Sequence, residues 1–389
     1  MKKILLIHTE YTQTGGEDIA VRKEIEFLSK YYSVETLIFK NTTHLTFRDL
    51  KALLTNRNKK SIKKLSEKLN EFKPDYIYIH NLWFRASLGI LDFVLNNNFK
   101  VFLKLHNFRY DCTKSFLSSA HLGNKDYCGA CGLEKIKLGK FNKYYQDSYA
   151  KSFLVNNFGR KYFKMLKNNK LKILTLTEHH KNYLIDLGVY SENIYVQPNP
   201  FTELANLKEQ NIKRNNQIVY AGRLSKEKGL IELVKAWESI NSKGYKLLIM
   251  GEGPLYAKLE NLVQDSDSIE LTGYKKNEEV IKIIRQSKAV VTATKLFEGQ
   301  PTLLCEASAY GIPSIFPDTG GVKDFFPKDY DLKFKQHNYR ELTEKLQKVI
   351  DSEDSNFIGK ENQLFIQDYL DDERIYHSLN SILSQDSHE

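Results

Sequence analysis

Two open, doubly wound α/β domains are the fold this sequence predicts, and three observations predict it. Short apolar, β-rich runs alternate with amphipathic segments of helical period along most of the chain, the pattern of parallel strands joined by crossover helices. The alternation runs twice, and it breaks at Pro198-Asn199-Pro200, where prolines disfavour helix on both sides. A length of 389 residues, 41% hydrophobic and 12% aromatic, suffices for two cores of ordinary size.

The first series opens on the strand Lys3–His8. Its run Ile4-Leu5-Leu6-Ile7 follows Met1-Lys2-Lys3 as in a secretory leader, but it stops at His8-Thr9-Glu10, short of a leader's hydrophobic region, and reads as a buried strand. An amphipathic helix Asp18–Lys30, a strand Ser33–Phe39 and a helix Ser61–Phe72 come next, then strands Asp75–His80, Lys100–His106 and Leu171–Thr177. The second series holds strands Gln217–Ala221, Tyr245–Met250, Ser268–Leu271, Ala289–Thr292 and Pro313–Phe316, with helices between them. From about Asn338 the pattern is helical, with Asp354–Tyr369 and Asp371–Ile382 as its last segments. The expected division is 1–197, 198–370, and a terminal helix 371–389 crossing back to the first domain. In paired sheets of this kind ligands collect at the carboxyl ends of the strands.

Mean hydropathy is −0.48, and no stretch approaches the roughly 20 apolar residues that span a bilayer, so a soluble or peripheral protein is expected. Four cysteines (Cys112, Cys128, Cys131, Cys305) are too few for a secreted disulfide framework, which favours a reducing cytoplasm. Cys112, Cys128 and Cys131 are the weak candidate for a zinc site. The net charge of +10 asks for an anionic partner: nucleic acid, anionic lipid or a diphosphate. From Lys135 to Lys172 the only acid is Asp147, and cations recur among Phe153, Phe158, Tyr162, Phe163 and Leu166, as in a basic, aromatic-bearing helix suited to an anionic membrane surface. No nucleic-acid motif accompanies the charge, so no nucleic acid is expected as partner.

Chemistry-bearing residues fall at strand ends. After Ala289–Thr292 comes Phe297-Glu298-Gly299-Gln300-Pro301-Thr302, where Pro301 suits a first helical turn and the amides of Gly299–Thr302 suit a phosphate or sugar oxygen. Glu298 and Glu306 can each accept hydroxyls of a sugar or ribose; read singly, their spacing more often means a helix-start dipole partner and a solvated face residue. After Gln217–Ala221, Arg223 and Lys228 can reach a pyrophosphate, the first as a fork of donors and the second as a point charge, or form a solvated face. Thr14-Gly15-Gly16-Glu17-Asp18 opens a helix whose amides can meet a phosphate or sugar, though a plain tight turn reads the same. His80-Asn81 and His106-Asn107 each end a strand; both histidines are expected at the cleft, with His106 bonding a sugar hydroxyl or a forming oxyanion, the alternative being packing or capping.

Taken together, Gly15-Gly16-Glu17, Gly222-Arg223 through Lys228-Gly229, Gly251-Glu252-Gly253, and Glu298 through Glu306 with Gly311-Ile312-Pro313 resemble the family 4 retaining glycosyltransferases, of the GT-B superfamily of two facing Rossmann-like domains. His80-Asn81-Leu82, Leu105-His106-Asn107-Phe108-Arg109, Cys112 and Cys128-Gly129-Ala130-Cys131 look like a bacterial subgroup acting in surface polysaccharide assembly. Tyr144-Tyr145 stands where that subgroup often has Cys-Tyr, and Asp324 where the family frequently has Glu. The resemblance implies transfer of a sugar from a nucleotide diphosphate carrier, UDP by family habit, to a glycan or lipid-linked acceptor on the inner face of the membrane. It implies that Arg223 and Lys228 hold the diphosphate, Glu306 the ribose and Glu298 the donor sugar, with Gly16 lending its amide and His106 beside the reacting centre. Gly273 and Tyr274 would line the base, and His80, Asn81 and Asn107 would stand on the acceptor side. It implies no cofactor and no divalent metal, because cationic side chains and a helix dipole stabilise the leaving group. Two other classes fit the same residues: a nucleotide-sugar epimerase on this fold, and a noncatalytic nucleotide-sugar or polyanion binder.

Overall fold

The computed structural model describes the whole chain except residues 13–14, 43–45, 114–126, 129–132, 135–141, 202–213, 353–354 and 386–389. It divides into two compact units, Met1–Thr202 with Asp372–Glu389, and Glu203–Asp371.

In chain order the first unit contains β1 (Lys3–Glu10), α1 (Gly16–Leu28), β2 (Ser33–Lys40), α2 (Phe47–Thr55), α3 (Lys59–Phe72), β3 (Tyr76–Ile79), α4 (Leu88–Asn96) and β4 (Val101–Leu105). A ribbon of β5 (Tyr127–Cys128) and β6 (Leu133–Glu134) follows, then α5 (Tyr149–Leu166), β7 (Leu171–Thr175), α6 (Glu178–Asp186) and β8 (Ile194–Val196). Six strands form one parallel sheet in the order β2-β1-β3-β4-β7-β8. Ile4–Ile7, Tyr76–Ile79 and Val101–Leu105 are buried throughout, because helices cover both faces of a parallel sheet. Strand order reverses between β1 and β3, at the loops after Glu10 and Ile79; ligands of open α/β sheets generally gather at such a reversal.

The second unit contains β9 (Gln217–Ala221), α7 (Leu230–Glu238), β10 (Lys246–Met250), α8 (Tyr256–Val263), β11 (Ile269–Gly273), α9 (Asn277–Arg285), β12 (Ala289–Val291), α10 (Thr302–Ala309), β13 (Ser314–Asp318), β14 (Lys333–Lys335), α11 (Tyr339–Asp351) and α12 (Ser355–Tyr369). Its parallel sheet has the order β11-β10-β9-β12-β13-β14, so the reversal lies between β9 and β12. The final helix, α13 (Asp372–Gln385), belongs to the first unit. It buries Ile375, Leu379, Ile382 and Leu383, each worth roughly 1.5–3 kcal/mol of apolar burial. Gln197 donates to the Ile375 carbonyl at 3.0 Å and accepts from the Ser378 hydroxyl at 2.9 Å, while the Tyr31 and Tyr376 rings stack at 4.0 Å between centroids.

Several local expectations differ from what is found. Strands β3 and β4 stop one residue before His80 and His106. The nine-residue helix α4, LGILDFVLN, is too uniformly apolar to show a helical period, and it escaped the pattern. The basic stretch is helical from Tyr149 only, residues 135–141 lying outside the described ones. Its apolar side is committed inward: Val155, Phe158, Tyr162 and Leu166 are buried, and Tyr149 and Phe153 alone of its aromatics are exposed. Among the described residues no helix is long and apolar enough to cross a membrane.

Candidate functional site

In the second unit the site is assembled from backbone outward. The loop after β9 runs Gly222 to Gly229, and Gly229 has φ of +69°; a Cβ there would stand 2.0 Å from the Ala293 carbonyl oxygen. Only glycine allows this approach, which draws the loop onto the one that follows β12. The Lys295 amide donates to the Glu227 carbonyl at 2.8 Å across the same seam. From the far side Gly320, with φ of +56°, would set a Cβ 2.3 Å from the Glu298 carbonyl oxygen, and the Gly321 amide donates to that oxygen at 2.9 Å.

Between these backbones Lys228 Nζ meets Glu298 Oε1 at 2.6 Å, and the Thr294 hydroxyl donates to the same oxygen at 2.9 Å. Lys228 and Glu298 keep 27% and 26% of their side chains exposed, so the pair is reachable by a ligand. Burial pushes the Glu298 carboxyl up, but Lys228 and Thr294 more than offset it and hold it below its usual value. Glu298 is therefore an anion at neutral pH.

Arg223 is exposed on the same loop, its carbonyl accepting from the Tyr220 hydroxyl at 3.1 Å. Gly299, Gln300 and Pro301 are half-buried. Pro301 caps α10 instead of filling its first turn, since the helix starts at Thr302. Glu306, on α10, is only 5% exposed; it is a buried carboxylate and not a solvated face residue. At the ends of β10 and β11, Glu252, Gly253, Tyr256 and Gly273 line a cavity of about 360 Å³, and the neighbouring Tyr274 is 68% exposed.

The first unit meets its reversal point with side chains. Asp18, at the third position of α1, accepts from the Gly15 amide at 2.8 Å and bonds His8 Nε2 at 2.9 Å, pinning the helix start to the end of β1. Gly16 is exposed there. Glu17 accepts from the Tyr11 hydroxyl at 2.9 Å and from Asn107 at 3.2 Å, and Arg109 donates to the Tyr11 hydroxyl at 2.8 Å. Glu24 Oε1 accepts from Lys104 Nζ at 2.7 Å and from the Tyr78 hydroxyl at 2.8 Å, all three groups buried.

His80, expected at the cleft, is 2% exposed and touches His106 instead, Nδ1 to Nε2 at 2.8 Å. His106 is half-buried. Desolvation, with cationic Lys104 near, holds both imidazoles well below their usual pKa, hence neutral. Asn81 and Asn107 spend their amides on the protein: Asn81 donates to the Thr9 carbonyl at 2.9 Å and Asn107 to Glu17. The ligand atoms of Glu24, His80 and His106 lie within 4.8 Å of one another, although the Lys104 ammonium already neutralises the carboxylate. Cys112 is buried; Cys131 and the side chain of Cys128 lie outside the described residues.

Thus Lys228 and Glu298 are brought together, as are His80 and His106. Sequence reasoning missed Glu24, Lys104, His8 and Tyr11. One signal for two of them was present: Glu24 falls on the inward stripe of α1 with Val21, Phe27 and Leu28, and Lys104 sits between Leu103 and Leu105 in a wholly buried strand.

Residues 203–384 match the family described as Glycosyl transferases group 1. Curated relatives include the amylovoran biosynthesis glycosyltransferase AmsD of Erwinia amylovora, 29% identical over 192 residues that make up 47% of this chain and 53% of that protein. Another is the capsular polysaccharide biosynthesis glycosyltransferase CapM of Staphylococcus aureus, 27% identical over 227 residues, 55% of this chain and 58% of that one. The chain spans about half the length of these relatives. Among solved structures, sucrose-phosphate synthase from Thermosynechococcus elongatus has a TM-score of 0.70 at 16% identity, covering 99% of both chains. Anabaena HepE in complex with UDP-glucose has a TM-score of 0.67 at 14% identity, covering 99% of this chain and 100% of that one. At such identities the likeness is one of fold, two parallel-sheet α/β domains of the GT-B type.

Proposed function

Because residues 203–384 match the family of group 1 glycosyl transferases, we propose that this chain is a retaining, metal-independent glycosyltransferase of bacterial surface-polysaccharide synthesis. The observation that carries the reading is the Lys228–Glu298 pair at 2.6 Å, at the strand-order reversal of the second sheet. A cation for a diphosphate and an anion for sugar hydroxyls stand side by side, as a sugar joined to a diphosphate requires. Arg223 joins Lys228 on the phosphates, the amides of Gly299, Gln300 and Thr302 at the start of α10 add the helix dipole, and Glu306 takes the ribose. The cavity at Glu252, Gly253, Tyr256 and Gly273, with Tyr274 beside it, receives the base. A UDP-sugar is the proposed donor, in keeping with the UDP-glucose bound to HepE.

No side chain is required as nucleophile. The acceptor hydroxyl oxygen bonds the anomeric carbon on the face from which the diphosphate departs; the bond from that carbon to the phosphate oxygen breaks, and this oxygen takes the hydroxyl proton. Glycoside and nucleoside diphosphate result, and configuration is retained. Arg223 and Lys228 act where negative charge grows on the leaving group.

The test is a thermal-shift panel of nucleotide sugars followed by transfer assays with lipid-linked acceptors. A ligand at a hundred times its dissociation constant adds about 2.7 kcal/mol, a readable shift. Donor loss without acceptor would favour an epimerase or hydrolase, and binding without turnover in any membrane extract would favour a binding protein. The acceptor is taken to be lipid-linked at the inner face of the plasma membrane, reached through the basic side of α5 with Tyr149 and Phe153 exposed on it. Unchanged binding to anionic vesicles after neutralising Lys161, Lys164 and Lys167 would reject that site.

A further inference from the structure

A neutral imidazole carries one N–H, so the protons of two imidazoles in contact are coupled. His80 Nδ1 and His106 Nε2 are 2.8 Å apart, and one of them must donate. On the other side of its ring His80 Nε2 faces Glu24 Oε2 at 3.7 Å, and neither atom has a hydrogen-bond partner among the described residues. Glu24 Oε1 is already held by Lys104 and Tyr78, so Oε2 presents its lone pairs to the ring. A lone pair on Nε2 would be repelled there, in surroundings of low dielectric, whereas an N–H is attracted to the carboxylate oxygen just beyond hydrogen-bond distance.

We infer that Glu24 and His80 are positioning residues for His106. The Glu24 carboxylate fixes the His80 proton on Nε2; His80 Nδ1 then accepts from His106 Nε2–H; His106 is left with its lone pair on Nδ1. For its purpose this rests on the glycosyltransferase reading: His106 presents an acceptor to a sugar hydroxyl and offers no Nδ1 proton to a forming oxyanion. The other ionisable groups around the cluster keep this arrangement. His8, bonded to Asp18, lies with its ring 6.1 Å from that of His80, and the Lys104 ammonium supplies the positive charge that a metal ion among Glu24, His80 and His106 would otherwise bring.

The tautomers are read directly by long-range proton–nitrogen correlation on the full chain labelled with ¹⁵N-histidine, the His106 signals being assigned through His106→Asn. Near neutral pH the wild-type protein is expected to show His106 solely as the Nε2–H form. Glu24→Gln, whose amide can donate to His80 Nε2, is expected to invert both rings and leave His106 as Nδ1–H. Should that change weaken the fold by stranding Lys104, Glu24→Gln with Lys104→Met removes both charges and predicts the same inversion. Turnover should fall roughly tenfold or more in the inverted protein, as when other orienting partners are lost. A wild-type His106 in the Nδ1–H form, or a His106 tautomer unmoved by both variants, overturns the inference. So does micromolar zinc perturbing both rings at one-to-one stoichiometry, which would make the cluster a metal site. The spectra are recorded without sugar, so they stand or fall separately from the proposed transfer activity.

Discussion

The two units reach the same topological position by opposite means. At the reversal of the second sheet, glycine-permitted backbone contacts at Gly229 and Gly320 fix the loops, and the charged side chains stay a quarter exposed. At the reversal of the first sheet, side chains do the fixing: Glu24 is buried and holds buried Lys104 and Tyr78, and buried His80 bonds His106. A site held by backbone can leave its ions open for a ligand. One held by buried ions cannot spare them, because each is needed to keep its partner from being an uncompensated charge in low dielectric.

Deleting one charge in each region tests this contrast most sharply. Lys104→Met strands Glu24 in the core and should destabilise the first unit by about 3–5 kcal/mol in urea unfolding. A cost under about 1 kcal/mol would mean that water reaches the pair. Lys228→Ala, by contrast, should leave unfolding close to wild type, since ion pairs this open contribute about 0–1 kcal/mol. It should instead lower kcat/KM for the nucleotide-sugar donor by roughly a hundredfold or more. The reverse pattern, lost stability with intact turnover, would move Lys228 out of the proposed donor site.

Acid should separate the units by a smaller margin. His80 and His106 have pKa values depressed in the fold, so between that depressed value and about 6.5 the unfolded chain binds protons that the folded chain refuses. Their contribution is present above about pH 6.5 and is lost as pH falls below it, by up to about 1.4 kcal/mol per pH unit for each histidine. Glu298, also depressed, keeps its contribution above its usual value of 4.5 and loses it only on further acidification. Calorimetry between about pH 7 and pH 5.5 should therefore lower the transition of the first unit before that of the second. Two transitions moving in parallel would contradict the assignment.

The same contrast explains what was legible in advance. Gly222 and Gly229 stood out because a close backbone approach needs glycine at a fixed position, and position is what a linear sequence records. Glu24 and Lys104, 80 residues apart, have no such grammar. A Glu in an amphipathic helix is ordinarily outward, and only the phase of Val21, Phe27 and Leu28 turned this one inward. In the basic helix the sequence did not tell which aromatics turn inward: Phe158 and Tyr162 are buried, whereas Tyr149 and Phe153 are exposed.

By itself the sequence determined the two alternating series, the parallel sheets they imply and the strand ends at which chemistry gathers, because period and turn chemistry are local properties of the chain. The tertiary structure alone decided which charges are buried, that Lys228 meets Glu298, and that His80 backs His106 instead of facing solvent. Those outcomes depend on sheet order and on the approach of loops tens of residues apart, and desolvation, which sets both pKa and proton position, exists only once the core has closed.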